Sequence, residues 1–426
     1  MSDPFTTLLI NQIPTHLLPT DKYKTNSIAV YIRQPLEEEH YTKVALIPQI
    51  LQRGTMRYPS AQKLRQALDD LYGATLQTDV VKRGEEQIIV FRLQIANETY
   101  LSDTTPLFAK GIELLSEVLQ NPLLENGVFH SRHVELEKDL LARKLSQIKD
   151  DKVRYANKRC TEEMFKNERY RLFSHGSIDQ LEQLTPQSLY DYYQKMIRSH
   201  PIDCFIIGDL EQNDVQHTLS EHFSFPREAI IEWPRTEVVH EVTETREITE
   251  KMPLSQGKLH IGCRTQTAYA DDDYVPLLVF NGVFGGFSHS KLFRNVREKE
   301  SLAYYVSSHI ESHKGFMMIM SGIDVHNDQK TVKIIREELD KTARGEITDD
   351  ELAQTKAMLI NQIMESNDQP FQLMERHYQG IVGGRKRTSS ELMSDIRRVS
   401  KEDVQRMARK VQMDTIYFLT SEGEAR

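Results

Sequence analysis

The sequence predicts an α+β fold built twice: two similar α+β domains, each a mixed sheet with helices packed on it. Two observations carry this. The chain repeats itself, since ELEKDLLARKLSQIKDD from Glu135 resembles ELAQTKAMLINQIMESND from Glu351, an offset of 351 − 135 = 216 residues. A second pair sits at nearly the same offset: LEQLTPQSLYDYYQKMIRSHPIDCFIIGDL, with a helix-capping Thr185, parallels IRRVSKEDVQRMARKVQMDTIYFLTSEG, with Ser400 in the same place. A chain of 426 residues is also long enough for two or three domains at ~150 residues each.

Taken in order, LRQALDDLYGATLQTDVVKRGEEQIIVFRLQI reads as a helix followed by two alternating strands around a polar turn. Leu141, Leu145 and Ile148 recur at i, i+4, i+7 and mark one buried helix face. Helix, then apolar strand CFII, closes a first domain at residues 1–220. The segment 221–257, with three prolines, the only tryptophan and a run of charges, reads as an extended linker. Residues 258–426 repeat the pattern: LFRNVREKESLAYYVSSHIESHKGFMMIMSGI gives a helix and two strands, and Thr348-Asp-Asp-Glu351 and Ser400-Lys-Glu-Asp403 open helices with capping boxes.

Composition excludes several classes. There are 54 Lys and Arg against 63 Asp and Glu, a net charge of −9, which is the wrong sign for a surface that neutralises phosphates or anionic lipid. Nucleic acid and membrane are therefore not expected partners. Cys160, Cys204 and Cys263 are scattered, so neither a disulfide framework nor a zinc ribbon is indicated. With no basic, apolar leader at the N-terminus and no run of ~18 apolar residues, the expected location is cytoplasmic.

Other patterns have ordinary explanations. Gly282, Gly285 and Gly286 lack a Walker or dinucleotide context and read as a helix end with a tight turn. His309 and His313 fall on a predicted strand, where four residues span ~13 Å and cannot share a metal. His130, His133 and Glu137 could share a helix face, but a solvated surface is the simpler reading. Gly384-Arg-Lys-Arg387 reads as a surface loop that could also meet an acidic peptide or a partner subunit.

One segment is far more specific. FNGVFGGFSHSKLFRNVREKESLAYYVSS is similar to the C-terminal-half signature of the pitrilysin-type (insulinase, M16-like) zinc peptidases and their mitochondrial-processing-peptidase-like relatives. QRGTMRYPSAQKLRQALDDLYGATL resembles the segment that follows the metal motif in the N-terminal half of that family. The resemblance implies two α+β units forming half of a clamshell around a peptide chamber. It also implies an inverted H-x-x-E-H motif, whose histidines hold zinc and whose glutamate activates water, with a distal glutamate as third ligand.

Counting back from Gly54-Thr55 puts that motif on Ala45, Pro48 and Gln49, and the matching helix puts the distal glutamate on Lys144. Alanine and proline offer no donor or proton carrier, glutamine is a poor zinc ligand, and an ammonium repels the ion. No catalytic residue and no metal or other cofactor is expected in this chain. Arg297 and Tyr304 match the family's substrate-binding arginine and tyrosine, which hold the peptide backbone and help stabilise an oxyanion. The resemblance therefore implies a non-catalytic subunit, similar to the inactive subunit of two-chain bacterial members. It would pair as a heterodimer with a chain that carries zinc and an intact H-x-x-E-H, and together they would enclose and cleave peptides. A homodimeric peptide-binding or structural protein with no peptidase partner is the alternative.

Overall fold

The computed structural model describes residues 4–102 and 105–421. The first half contains β1 (Thr6–Ile10), β2 (Ile13–Pro19), β3 (Thr25–Pro35), α1 (Tyr41–Leu51), α2 (Ala61–Asp70), β4 (Thr75–Arg83) and β5 (Glu86–Ala96). It continues with α3 (Leu107–Gln120), the short pair β6 (Leu124–Glu125) and β7 (Val128–Phe129), α4 (Ser131–Ser146) and α5 (Lys152–Met164). α6 (Ile178–Leu181), α7 (Pro186–Ser199), β8 (Ile202–Gly208) and α8 (Gln212–His222) complete it. The second half holds β9 (Arg246–Lys251), β10 (Gly257–Arg264), α9 (Tyr274–Asn281), β11 (Ala303–Glu311), β12 (Phe316–Ile323) and α10 (Asp328–Ala343). α11 (Asp349–Ser366), α12 (Pro370–Gly383), α13 (Ser389–Arg398), α14 (Lys401–Lys410) and β13 (Gln412–Thr420) follow.

The repeat is written in the sheet topology. The first sheet runs β1-β2-β8-β3-β5-β4 and the second β9-β13-β10-β12-β11. Apart from β1, the two orders correspond strand for strand. Each has one parallel pair, β2 with β8 and β13 with β9, beside antiparallel neighbours. β9 lies in the segment expected to be linker, yet it is the edge strand of the second sheet and the counterpart of β2. The alternating exposure of REITEK, one face against the sheet and one in water, is what an edge strand shows.

The capping signals hold. Thr348 accepts from the Glu351 amide at 3.1 Å while Glu351 accepts from the Thr348 amide at 2.9 Å, and Ser400 and Asp403 do the same at 3.2 and 2.8 Å. The glycines after α9 differ from expectation. Residues 282–286 form a wide π-type turn, and none of Gly282, Gly285 and Gly286 has a positive φ. Their requirement is space, because a Cβ on Gly285 would lie 2.5 Å from Ser308 Oγ and one on Gly282 2.4 Å from a Thr355 methyl.

Each sheet is covered on both faces, and the second covering comes from the other half. Ile28, Val30 and Ile32 of β3 face the helices of the first half, whereas Ala29 and Tyr31 face α12, where Tyr378 stacks on Tyr31 at 4.0 Å. Leu259, Ile261 and Cys263 of β10 face the helices of the second half, while α5 lays Tyr155, Ala156, Cys160 and Met164 against the opposite face with Met318 and Tyr417. The halves thus exchange a helix. Gly262 permits it, since a Cβ there would sit 2.4 Å from Met164 Sδ. All three cysteines are buried and free.

Candidate functional site

The positions that the resemblance matches to the metal motif lie on α1, a helix packed into the core. Nine of its eleven residues are buried, among them Ala45, Leu46, Ile47 and Pro48. Pro48 lies inside the helix and removes one amide donor from its ladder. Gln49 is half-buried, and its amide donates to Thr78 Oγ1 at 3.4 Å. Lys144 stands on the neighbouring α4, exposed and facing a cavity. A methyl group, a proline ring, an engaged amide and an ammonium make a donor set that does not fit zinc. Elsewhere on α4, buried Glu137 is paired with Arg53, while the rings of His130 and His133 lie 4.8 Å apart. Among the described residues no group of three or more His, Cys, Asp or Glu is placed to hold a metal ion.

The cavity that Lys144 faces has a volume of about 750 Å³ and lies where the halves meet. α4 and α5 form one wall, the end of β4 and residues 170–175 another, and β11 with β12 the floor. Phe316, Met318 and Met320 make that floor apolar. Lys82 reaches in from β4 and donates to the carbonyls of Tyr170 and Leu172 at 2.8 and 3.0 Å, with its ammonium 3.8 Å from the centre of the Tyr170 ring. Burial lowers Lys82 to about 7 against the pull of Glu311, and burial likewise raises the Glu311 carboxyl. A second cavity, of about 510 Å³, adjoins this one and shares Lys158, Arg171 and Phe173 with it.

Arg297 and Tyr304 are both solvent-exposed, and neither lines this cavity. Arg297 sits on a π-type turn over Phe293–Lys299, its guanidinium 4.7 Å from the centre of the Phe293 ring. Tyr304, 68% exposed, is the second residue of β11. A shift in register between Ala303 and Tyr305 takes it out of the regular alternation, so that Tyr305, opposite Gly322, resumes the ladder.

The remaining candidates resolve into structure. His309 lines the cavity, but His313 lies past the end of β11 in the hairpin turn, stacked on Tyr269 at 4.9 Å and pushed down to about 3 by burial. Arg385 donates to the Ala270 carbonyl and to Asp272, and Arg387 to the carbonyls of Tyr269 and Asp271. The basic loop therefore fastens the end of α12 to the segment before α9.

Sequence reasoning missed the charged joint between the halves. The tips of the two corresponding hairpins, β4–β5 and β11–β12, touch: Lys314, 1% exposed, bridges Glu85 and Glu168, each at 2.7 Å. Arg264 continues the chain of charges to Glu168 at 2.6 Å and Asp414 at 3.0 Å. Burial acts to raise Glu168 and Asp414, but hydrogen bonds from these cations and from Thr415 and Arg246 leave both below the usual carboxylate range. Gly84, at φ +54°, allows the approach, since a Cβ would lie 2.8 Å from the His313 carbonyl oxygen. A charge in a hairpin turn is ordinary in a sequence, and only the meeting of the two turns gives it meaning.

Comparison with known proteins shows the family of the chain. Residues 183–359 match the family described as peptidase M16 inactive domain. The chain is 41% identical over 407 residues to a protein of Bacillus subtilis described as probable inactive metalloprotease YmfF, covering 96% of this chain and 95% of that one. Among solved structures, a conserved protein from Enterococcus faecalis superimposes over the whole of both chains with a TM-score of 0.91 at 32% identity. A peptidase M16 inactive domain from Pseudomonas fluorescens shares the fold, with a TM-score of 0.81 at 16% identity over 99% of both chains. Likeness over nearly the whole length to a probable inactive metalloprotease, together with the match to the peptidase M16 inactive domain, makes the chain an inactive member of the M16 metalloprotease family.

Proposed function

We propose that this chain is a non-catalytic, substrate-binding subunit that pairs with a zinc-containing M16 subunit and forms half of a peptide chamber. The observation that carries the reading is a division within the first half. The helix at the metal-motif positions has been given over to the core, while a cavity of about 750 Å³ is kept open where the halves meet. A protein selected only for stability gains by closing such a space, because its apolar walls are left in water. In this reading the partner supplies an intact H-x-x-E-H and its zinc. Arg297 and Tyr304 of this chain, exposed and free of the core, hold the backbone of a peptide bound between the two subunits. Both subunits work in the cytoplasm.

The test is zinc analysis and a peptidase assay on the purified chain, on an H-x-x-E-H subunit from the same cell, and on their mixture. Turnover that rises on mixing, with zinc only in the second subunit, is the expected result. Tight zinc binding and cleavage by this chain alone would overturn the reading. Peptide binding by a homodimer, with no gain on mixing, would favour a peptide-binding protein that works without a peptidase.

A further inference from the structure

The walls of the cavity have a sign that the chain as a whole does not. Against a net charge of −9, the cavity gathers Lys82, Lys144, Arg154, Lys158 and Arg171 with only Asp151 and Glu311. Lys82 and Glu311 oppose one another in sign, and burial moves each toward its neutral form. Arg154 is held by Asp151 at 3.4 Å, and Lys158 and Arg171 lean on Glu162 and Glu38. Lys144 is left over: among the described residues it has no hydrogen bond and no ion pair. It faces the cavity from the position that the family resemblance matches to a zinc-binding glutamate. Where the active site would place an anionic ligand under a metal, this chain places an uncompensated cation above an apolar floor.

Resting on the peptide-binding reading, we propose that the cavity selects peptide segments whose acidic side chains are flanked by apolar residues, with Lys144 as the binding residue for a substrate carboxylate. The apolar flanks would cover Phe316, Met318 and Met320, and the carboxylate would meet a charge that its own chain leaves unpaired. Charge complementarity of this kind decides which partner binds more than how tightly any partner binds. Adding a carboxylate beside Lys144 removes no existing ion pair.

The experiment uses the full chain alone and three fluorescent, C-terminally amidated peptides with identical leucine and phenylalanine positions. Their polar positions are all Glu, all Gln or all Lys. Fluorescence anisotropy at about 0.1 M salt should show the Glu peptide binding about fivefold more tightly than the Gln peptide, the upper end of what one partly solvated ion pair supplies. At about 1 M salt, where the screening length falls from ~10 Å to ~3 Å, the gap should close. Lys144→Glu should cut the preference about fivefold and Lys144→Gln by less, and as Lys144 is exposed neither change threatens the fold. Equal binding of the Glu and Gln peptides, or an undiminished preference in Lys144→Glu, would overturn the proposal while leaving peptide binding in place. Failure of all three peptides to bind would overturn the peptide-binding reading itself, and this proposal with it.

Discussion

The two exchanged helices occupy corresponding places and have different duties. α12 lays Met374 and Tyr378 on the first sheet, with Phe371, Leu373 and Ile381 packed around them. α5 lays Cys160 and Met164 on the second sheet, but its other side, with Arg154, Asn157 and Lys158, forms the wall of the large cavity. One helix is a strut, and the other is a strut that also borders an open space. Exchange therefore explains why the halves stay together without explaining the cavity. The cavity lies on one side of a nearly repeated frame, beside α4 and α5.

If both helices are struts, truncating either must cost what a core truncation costs. Tyr378→Ala, which removes a ring 1% exposed and stacked on Tyr31, should destabilise the protein by about 3–5 kcal/mol, and Met164→Ala, 2% exposed, by about 2–5 kcal/mol. Urea unfolding at neutral pH measures both. A loss below about 1 kcal/mol in either variant would show that its helix rests on the opposite sheet without holding it.

The charged joint offers the next largest effect. Lys314→Met leaves Glu85 and Glu168 without their shared cation, although Glu168 keeps Arg264. Breaking a buried ion pair from one side costs ~3–5 kcal/mol, and the lower end, about 3 kcal/mol, applies here because Glu85 is partly solvated. The check is whether unfolding splits into two transitions. A variant that still melts in a single unshifted step would mean that the exchanged helices alone couple the halves.

A gentler comparison is between two buried histidines. His16, on β2, has Asp203 at 3.0 Å and Thr7 at 3.0 Å. His260, on the middle strand of the second sheet, has no hydrogen-bond partner for either ring nitrogen among the described residues, and burial, helped by Lys258, lowers it to about 3. The folded state keeps His260 neutral while the unfolded state takes up a proton near pH 6.5. Its contribution is thus complete above that pH and is lost as the pH falls from 6.5 toward 3. Each such histidine gives a slope of about 1.4 kcal/mol per pH unit in that window. His260→Phe should make the fall in stability between pH 6 and 4.5 shallower by about that amount, and an unchanged slope would show that the ring reaches water in the fold.

How much of this was legible in the sequence follows from how local each signal is. The capping boxes at Thr348 and Ser400 and the apolar face of Leu141 and Leu145 are contacts within one element, the repeat is a match between two stretches of one sequence, and the structure has all three. The strand Arg246–Lys251 was hidden because an edge strand of alternating charge looks like a solvated connection. The exchange of α5 and α12 was hidden because a strand buried on both faces does not say which helix covers which face. At the candidate site, that Ala45 and Pro48 offer no metal donor is readable one residue at a time. The cavity, the joint at Lys314 and the unpaired state of Lys144 depend on residues brought together from five or more elements, and no single stretch of sequence records them.

The smallest expected effect on the fold, and the sharpest test of what the repeat has kept, concerns Arg297 and Tyr304. Both are exposed and, among the described residues, neither is engaged in an ion pair, so Arg297→Ala and Tyr304→Phe should each change stability by no more than about 0.5 kcal/mol. Arg297→Ala removes only a guanidinium lying over Phe293, and Tyr304→Phe removes one hydroxyl from a side chain already standing in water. If the pair binds a peptide held between this chain and a zinc subunit, the same variants should lower turnover of the mixed complex ~100-fold, the usual loss for one oxyanion donor. Peptide binding by the isolated chain, if it takes place in the cavity that neither residue lines, should be nearly unaffected. Turnover falling while stability and isolated binding hold would separate a catalytic contribution made across the chamber from the binding made within this chain. Wild-type turnover in both variants would instead leave the cavity as the chain's only contact with substrate.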